Sequence, residues 1–153
     1  MEVKLPYWKK GSSSSDLMEK AVIYTIGHSN RSIEEFLQLL KSKNVQILVD
    51  VRRFPTSRKF PHFSRQNLSK CLEENNIAYV YLGDLLGGFR KGGYVAYMKT
   101  NDFKEGMRKL LELTTKGRGR VCIMCAERLW FRCHRRFIAK ELERKGVKVI
   151  HLK

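Results

Sequence analysis

Acidic residues are scarce in this chain of 153 residues: 15 Asp and Glu stand against 31 Lys and Arg, a formal net charge of +16. That shortage argues against a thermophile's charge-rich surface, which carries matching Glu. Long apolar runs are missing too. No segment reaches the ~20 apolar residues of a membrane span, and the N-terminal stretch has no apolar signal-peptide core. Cysteine is limited to Cys71, Cys122, Cys125 and Cys133, without the spacing of a secreted disulfide framework. The expectation is an intracellular, reducing location, most simply cytoplasmic, and no membrane partner. No internal repeat divides the chain, which is long enough for one domain with a core of several strands and helices.

What the chain has in excess is positive charge. A domain this basic repels itself unless its charge meets a polyanion, and nucleic acid, DNA or RNA, is the default partner. Composition breaks once, at Gly11 to Ser15. Residues 1–20 read as a basic, Ser-rich arm with Pro6, Tyr7, Trp8, Lys9 and Lys10 ahead of a flexible serine linker. The arm is either a disordered leader or a basic-aromatic strap across a partner.

Residues 21–153 alternate strand and helix. Apolar runs predict strands over Val22 to Ile26, Val45 to Val51, Ala78 to Leu82, Arg120 to Ala126 and Val147 to Leu152. Between them lie amphipathic patterns: Ile33, Phe36, Leu37 and Leu40; Leu68, Cys71 and Leu72; Phe103, Met107, Leu110 and Leu111; and Arg135 to Lys145. Ser32 and Glu35 form a capping box, Ser64 can cap the second helix, Asn101 or Thr100 the third, and Gly146 stops the last. This is the pattern of a single three-layer α/β domain: a mostly parallel sheet of about five strands with helices on both faces.

Right-handed crossovers put every strand's C-terminal end on one edge, where open parallel sheets hold their chemistry. That edge receives His28, Asn30 and Arg31 after the first strand, Asp50, Arg52 and Arg53 after the second, and Cys125 and Glu127 after the fourth. Cys133, His134, Arg135 and Arg136 then open the last helix, whose N-terminus favours a thiolate. Cys133 reads as a nucleophile or anion ligand, or as a small residue packing the junction. Asp50 and Glu127 end neighbouring strands. They could share a proton, as suits general acid/base work, or hold His28 and Arg52 in place; the competing reading is a buried ion-pair network that fixes loops, with Asp50–Arg52 the simplest case. Cys122 and Cys125, three apart on a strand, point to opposite faces; Cys122 and Cys71 therefore read as core thiols. No structural zinc and no cofactor are expected.

These residues carry a resemblance. Thr25-Ile26-Gly27-His28-Ser29-Asn30-Arg31, Val49-Asp50-Val51-Arg52 with Pro55 and Ser57, Leu86-Gly87-Gly88, Tyr97-Met98, Cys125-Ala126-Glu127 and Cys133-His134-Arg135 follow one another as in the domain-of-unknown-function family 488. The likeness spans about Val22 to Leu152. It implies a compact α/β domain and marks these motifs as the family's characteristic positions, without implying an activity.

Two loops add cations interleaved with rings. Arg52 to Lys70 contains Arg53, Arg58, Lys59, Phe54, Phe60 and Phe63; Phe89 to Tyr94 contains Arg90, Lys91 and two glycines. Cations hold phosphates while exposed rings stack on unpaired bases, although phenylalanines can equally anchor a loop to the core. The expectation is a basic groove for nucleic acid, with Asn30, Arg31, Arg52, Arg53, Arg58, Lys59, Arg90 and Arg135 as contacts. A polar pocket then acts on a base, nucleotide or phosphodiester through Cys133, His134, Glu127, His28 and Asp50. Two other classes fit the same residues: a non-catalytic DNA- or RNA-binding module, and a thiol-dependent enzyme on a small anionic metabolite.

Overall fold

Three six-residue apolar runs make the centre of the sheet: β1 (Val22–Gly27), β2 (Val45–Asp50) and β4 (Arg120–Cys125). Each is almost wholly buried, as strands covered on both faces must be. The four-residue strands β3 (Ala78–Tyr81) and β5 (Lys148–His151) are half-exposed and take the edges. In the computed structural model of the protein, which describes residues 21–116 and 119–153, the strands lie in the order β3-β2-β4-β1-β5, and every neighbouring pair is parallel. The N-terminal arm lies outside the described residues.

Side-chain alternation splits the core in two. Tyr24, Ile26, Leu48, Cys122 and Met124 face helices α1 (Ile33–Ser42) and α2 (Arg65–Glu74), meeting Phe36, Leu40, Leu68 and Leu72. Ile23, Val49, Val121, Ile123 and Cys125 face the other way. They meet the short helix α3 (Gly83–Leu86), the long helix α5 (Asn101–Lys116) and α6 (Arg135–Arg144) through Leu86, Phe103, Leu110 and Ile138. Cys122 and Cys125 thus belong to opposite layers, as their spacing requires. The chain moves toward the β3 edge through α1 and α2 and returns through α5 and α6. Connections running opposite ways therefore lie on opposite faces, as right-handed crossovers demand.

The helix starts depart from expectation in detail. Ser32 caps α1 through Glu35 N–H at 3.1 Å, but the Glu35 carboxylate accepts from Arg31 Nη1 at 2.9 Å. A buried guanidinium one residue before the cap takes the carboxylate, so the capping box is half formed. Ser64 stands at the N-cap of α2 without a side-chain bond. At α5 the choice falls on Thr100, whose Oγ1 accepts from Phe103 N–H at 3.2 Å. Sequence periodicity does not reveal α3 or the single turn α4 (Tyr94–Tyr97), because four residues are too few to show a helical period. Among the described residues, no helix is long and apolar enough to cross a membrane.

The expected Arg52–Lys70 loop ends at Ser64, where α2 begins, and its aromatic residues divide between anchoring and exposure. Phe63 is fully buried against His28 and Phe36, whereas Phe54 is 62% exposed. Phe63→Ala should cost about 3–5 kcal/mol in a chemical denaturation series. Phe54→Ala should stay within about 0.5 kcal/mol of wild type. Equal losses in the two variants would contradict this division of the loop.

Candidate functional site

Where the outgoing connections of neighbouring strands diverge, one toward each edge of the sheet and over opposite faces, an open parallel sheet leaves a crevice. Here the strands are β2 and β4. A cavity of about 510 Å³ occupies the crevice. Arg52, Arg53 and Phe54 line it from the end of β2, and Cys125, Ala126 and Glu127 from the end of β4. Gly88 and Phe89 enter from the loop after α3, and Arg132, Cys133 and His134 from the approach to α6. A larger cavity, about 620 Å³, lies between α5 and α6 but is walled by helix sides such as Phe103, Met107 and Leu111.

Cys133 is half-buried at the crevice floor. Its Sγ accepts from Arg135 N–H at 3.4 Å, in the manner of a helix cap, and lies 3.5 Å from His134 Nδ1. Cys125 reaches it from the last position of β4, Sγ to Sγ 2.8 Å. The buried Cys125 keeps its proton, its thiol pushed well above the ordinary range by burial and by Cys133. Hydrogen bonding from Cys125, and then from His134 and Arg135 N–H, holds Cys133 down at about 4 against the opposing effect of burial. A thiolate is the nucleophilic form of cysteine. His134 is oriented by its other nitrogen, Nε2, which donates to Val51 O at 2.9 Å, so Nδ1 is the atom left facing the sulfur. Gly88 lets the loop after α3 close over that ring: a Cβ there would stand 3.2 Å from Nδ1.

Asp50 points to the other side of the sheet. It is wholly buried and accepts from Arg52 Nε at 2.9 Å, Arg52 Nη2 at 2.8 Å, Arg52 N–H at 3.0 Å and Tyr79 Oη at 2.5 Å. Arg52 Nη1 continues to Phe63 O at 2.7 Å and to His28 Nε2 at 3.3 Å. His28 donates from Nδ1 to Ser29 O at 3.0 Å and stacks on Phe63. Of the two roles open to Asp50, the ion-pair network is the one this geometry fits. Its carboxylate is saturated, and Glu127, exposed at the lip, accepts from Leu129 N–H instead. The two acids do not share a proton.

The arginines expected to hold phosphates fall into two groups. Arg31 donates to Gly27 O and Glu35, and Arg135 to Thr25 Oγ1, Glu127 O and Arg128 O. Both are as buried as the core, and with Arg52 they brace loops. Arg90 is half-buried and donates to the carbonyls of Gly83, Asp84 and Gly87 while lying over Tyr97. These four are not free surface contacts, because their guanidiniums are turned onto the Asp50 and Glu35 carboxylates, the Thr25 hydroxyl and loop carbonyls. Asn30 is exposed and accepts from Arg128. Arg53 sits at the cavity mouth over Phe54 and donates to Phe89 O; Arg58 and Lys59 are exposed. Cys125 belongs to the reactive set although it is not among the residues expected to act there. Its place at the inward end of β4 is legible, but the fold-back of residues 126–132 that brings Cys133 to it is not.

Two measurements follow. Burial, with Arg52 held against Nε2, lowers His28 to about 4 from 6.5, although the Ser29 carbonyl favours the charged ring. Between those values the unfolded chain binds a proton that the folded chain refuses, so stability is lost as pH falls through that window. His28→Gln should flatten the stability profile there by on the order of 1.4 kcal/mol per pH unit; profiles that stay parallel would remove His28 as the cause. Under limiting iodoacetamide at neutral pH, Cys133 should be labelled first, at a rate nearly flat in pH. Cys71 and Cys122, both pushed upward by burial, should lag. Mass mapping that finds Cys122 labelled first would overturn the assignment.

None of the curated proteins compared with this chain matches it. A protein-family model does: the domain of unknown function DUF488, over residues 32–142. That span includes β2, the loop after α3, Cys125-Ala126-Glu127 and Cys133-His134-Arg135, and leaves out the Thr25–Arg31 motif and β5. With well over half of its length matched, and with the crevice built largely from that part, the chain belongs to the DUF488 family.

Proposed function

We propose that this protein binds nucleic acid across the basic, aromatic mouth of the β2–β4 crevice. A base or nucleotide, or the phosphodiester beside it, is then presented to Cys133 inside. The observation that carries this reading is the mouth itself. Phe54 and Phe89 are 62% and 83% exposed, and their ring centres are 6.0 Å apart. Arg53 ties them together, lying 5.4 Å over Phe54 and donating to the Phe89 carbonyl. Exposed rings of this size are costly to leave in water, and paired with a guanidinium they suit stacking on unpaired bases. Arg58, Lys59, Arg128 and Arg132, all exposed, supply charge for a phosphate backbone.

The cavity behind the rings is of the size that takes a small ligand or a flipped nucleotide, within about 300–1,000 Å³. Cys133 is the nucleophile of this reading, His134 orients and hydrogen-bonds it, and Glu127 at the lip is the group able to exchange protons with a substrate. A thiol enzyme on a small anionic metabolite would use the same Cys133 but leaves Phe54 and Phe89 without a role. A non-catalytic module would use the rings and leave the thiolate idle.

Anisotropy titrations with single-stranded and duplex oligonucleotides test the reading. Affinity should fall steeply between about 50 and about 200 mM salt. Phe54→Ala and Phe89→Ala should each weaken single-strand binding by about 1–3 kcal/mol. Arg58→Glu with Lys59→Glu should weaken every sequence alike. Cys133→Ser and Glu127→Gln should bind as wild type while losing turnover on the oligonucleotide that wild type processes. A flat salt response with no low-salt affinity would end the nucleic-acid reading. Wild-type binding without turnover on intact or damaged oligonucleotides would leave the binding module.

A further inference from the structure

Four cysteines are present, and two of them meet. Cys125 Sγ and Cys133 Sγ are 2.8 Å apart, against about 2.05 Å in a disulfide. Both are free, and the chain between them, residues 126–132, is exposed throughout. Closing the bond asks for a small shift of Cys133, at the end of that exposed segment, while Cys125 keeps its place on β4. The two sulfurs also differ in access. Both line the cavity, but Cys125 is 2% exposed whereas Cys133 is only half-buried, so an oxidant entering the crevice meets Cys133 first. Cys122 lies in the opposite core layer and Cys71 on α2, so neither competes as a partner.

We propose that Cys133 and Cys125 are a dithiol–disulfide couple, with Cys133 the peroxide-reactive sulfur and Cys125 the thiol that resolves it. In the first step the Cys133 thiolate attacks the outer oxygen of a hydroperoxide. The O–O bond breaks, the alcohol or water departs with a proton, and Cys133 becomes a sulfenic acid, oxidised by two electrons. In the second step Cys125 attacks that sulfur and loses its proton. The S–O bond breaks and the oxygen leaves as water, so dithiol and peroxide give disulfide, alcohol and water. A small dithiol returns both cysteines by exchange. The low pKa of Cys133 and the protonated state of Cys125 suit this order of events. The couple requires the reactive Cys133 but not a nucleic-acid partner. If Cys133 is the nucleophile of the crevice, the disulfide also switches that chemistry off.

The test uses the full chain, hydrogen peroxide at one equivalent, and mass spectrometry after alkylation without reduction. Before alkylation the intact mass should fall by two hydrogens; after denaturing alkylation the chain should carry two labels rather than the four of the reduced protein, and the peptides of Cys125 and Cys133 should be joined. Cys71 and Cys122 should remain alkylatable, and dithiothreitol should restore all four thiols. In Cys125→Ala, Cys133 should stop at a sulfenic acid trapped by dimedone and proceed to the sulfinic acid in excess peroxide. In Cys133→Ser, Cys125 should stay reduced. Wild-type Cys133 running on to the sulfinic acid with Cys125 still free would overturn the couple. So would a crosslink to Cys71 or Cys122, or no oxidation at all. These readings come from wild type even if a variant does not fold, and none involves an oligonucleotide. Their failure is therefore separate from failure of the nucleic-acid reading.

Discussion

Asp50 and Arg52 form an ion pair inside the protein, the carboxylate wholly buried and the guanidinium nearly so. Two charges taken out of water are tolerable only when every bonding position is used. That need organises the strand-end edge. Asp50 takes three donors from Arg52 and one from Tyr79 of β3; Arg52 then reaches Phe63 O and His28. One pair thereby links the ends of β1 and β2 and Tyr79 of β3 with the turn at Phe63. The chain leaves β2 along a constrained path, which puts Arg53 and Phe54 at the mouth of the cavity.

Arg31 and Arg135 do comparable work on the other side, donating to carbonyls that tight loops leave unpaired. The approach of these loops is close. A Cβ on Gly27 would fall 1.9 Å from Glu127 O, so the first strand-end loop can pass beside the fourth only with glycine there. High basicity in this chain thus has two sources. Part is internal bracing by guanidiniums, which stay charged when buried and present donors in a fixed fork. The rest is surface charge, gathered in part around the cavity mouth.

The sulfur chemistry depends on this bracing. Cys133 reaches Cys125 because Arg135 pins residues 127 and 128 from the first turn of α6. His134 is aimed by a carbonyl at the end of β2. One helix start thereby supplies the thiolate, the ring beside it and the guanidinium that holds the loop in place.

The α/β alternation, the two-sided burial of the strands and the edge where the site lies are legible in the residues themselves. Apolar runs and helical periods are local, and the handedness of crossovers then dictates which edge collects the strand ends. The separation of Cys122 from Cys125 is legible for the same reason, since side chains alternate along a strand. What the sequence leaves open is which arginines turn inward, because Arg31, Arg52, Arg53 and Arg58 are chemically identical. Burial is decided by the carbonyls and carboxylates that other loops present. Likewise Asp50 closes β2 and Glu127 follows β4 by two residues, yet one saturates on Arg52 while the other stays in solvent, because alternation points Asp50 away from the cavity. The meeting of Cys125 and Cys133 is a tertiary event: eight positions apart in the chain, they touch only because an exposed loop folds back under guanidinium bonds that no local pattern encodes.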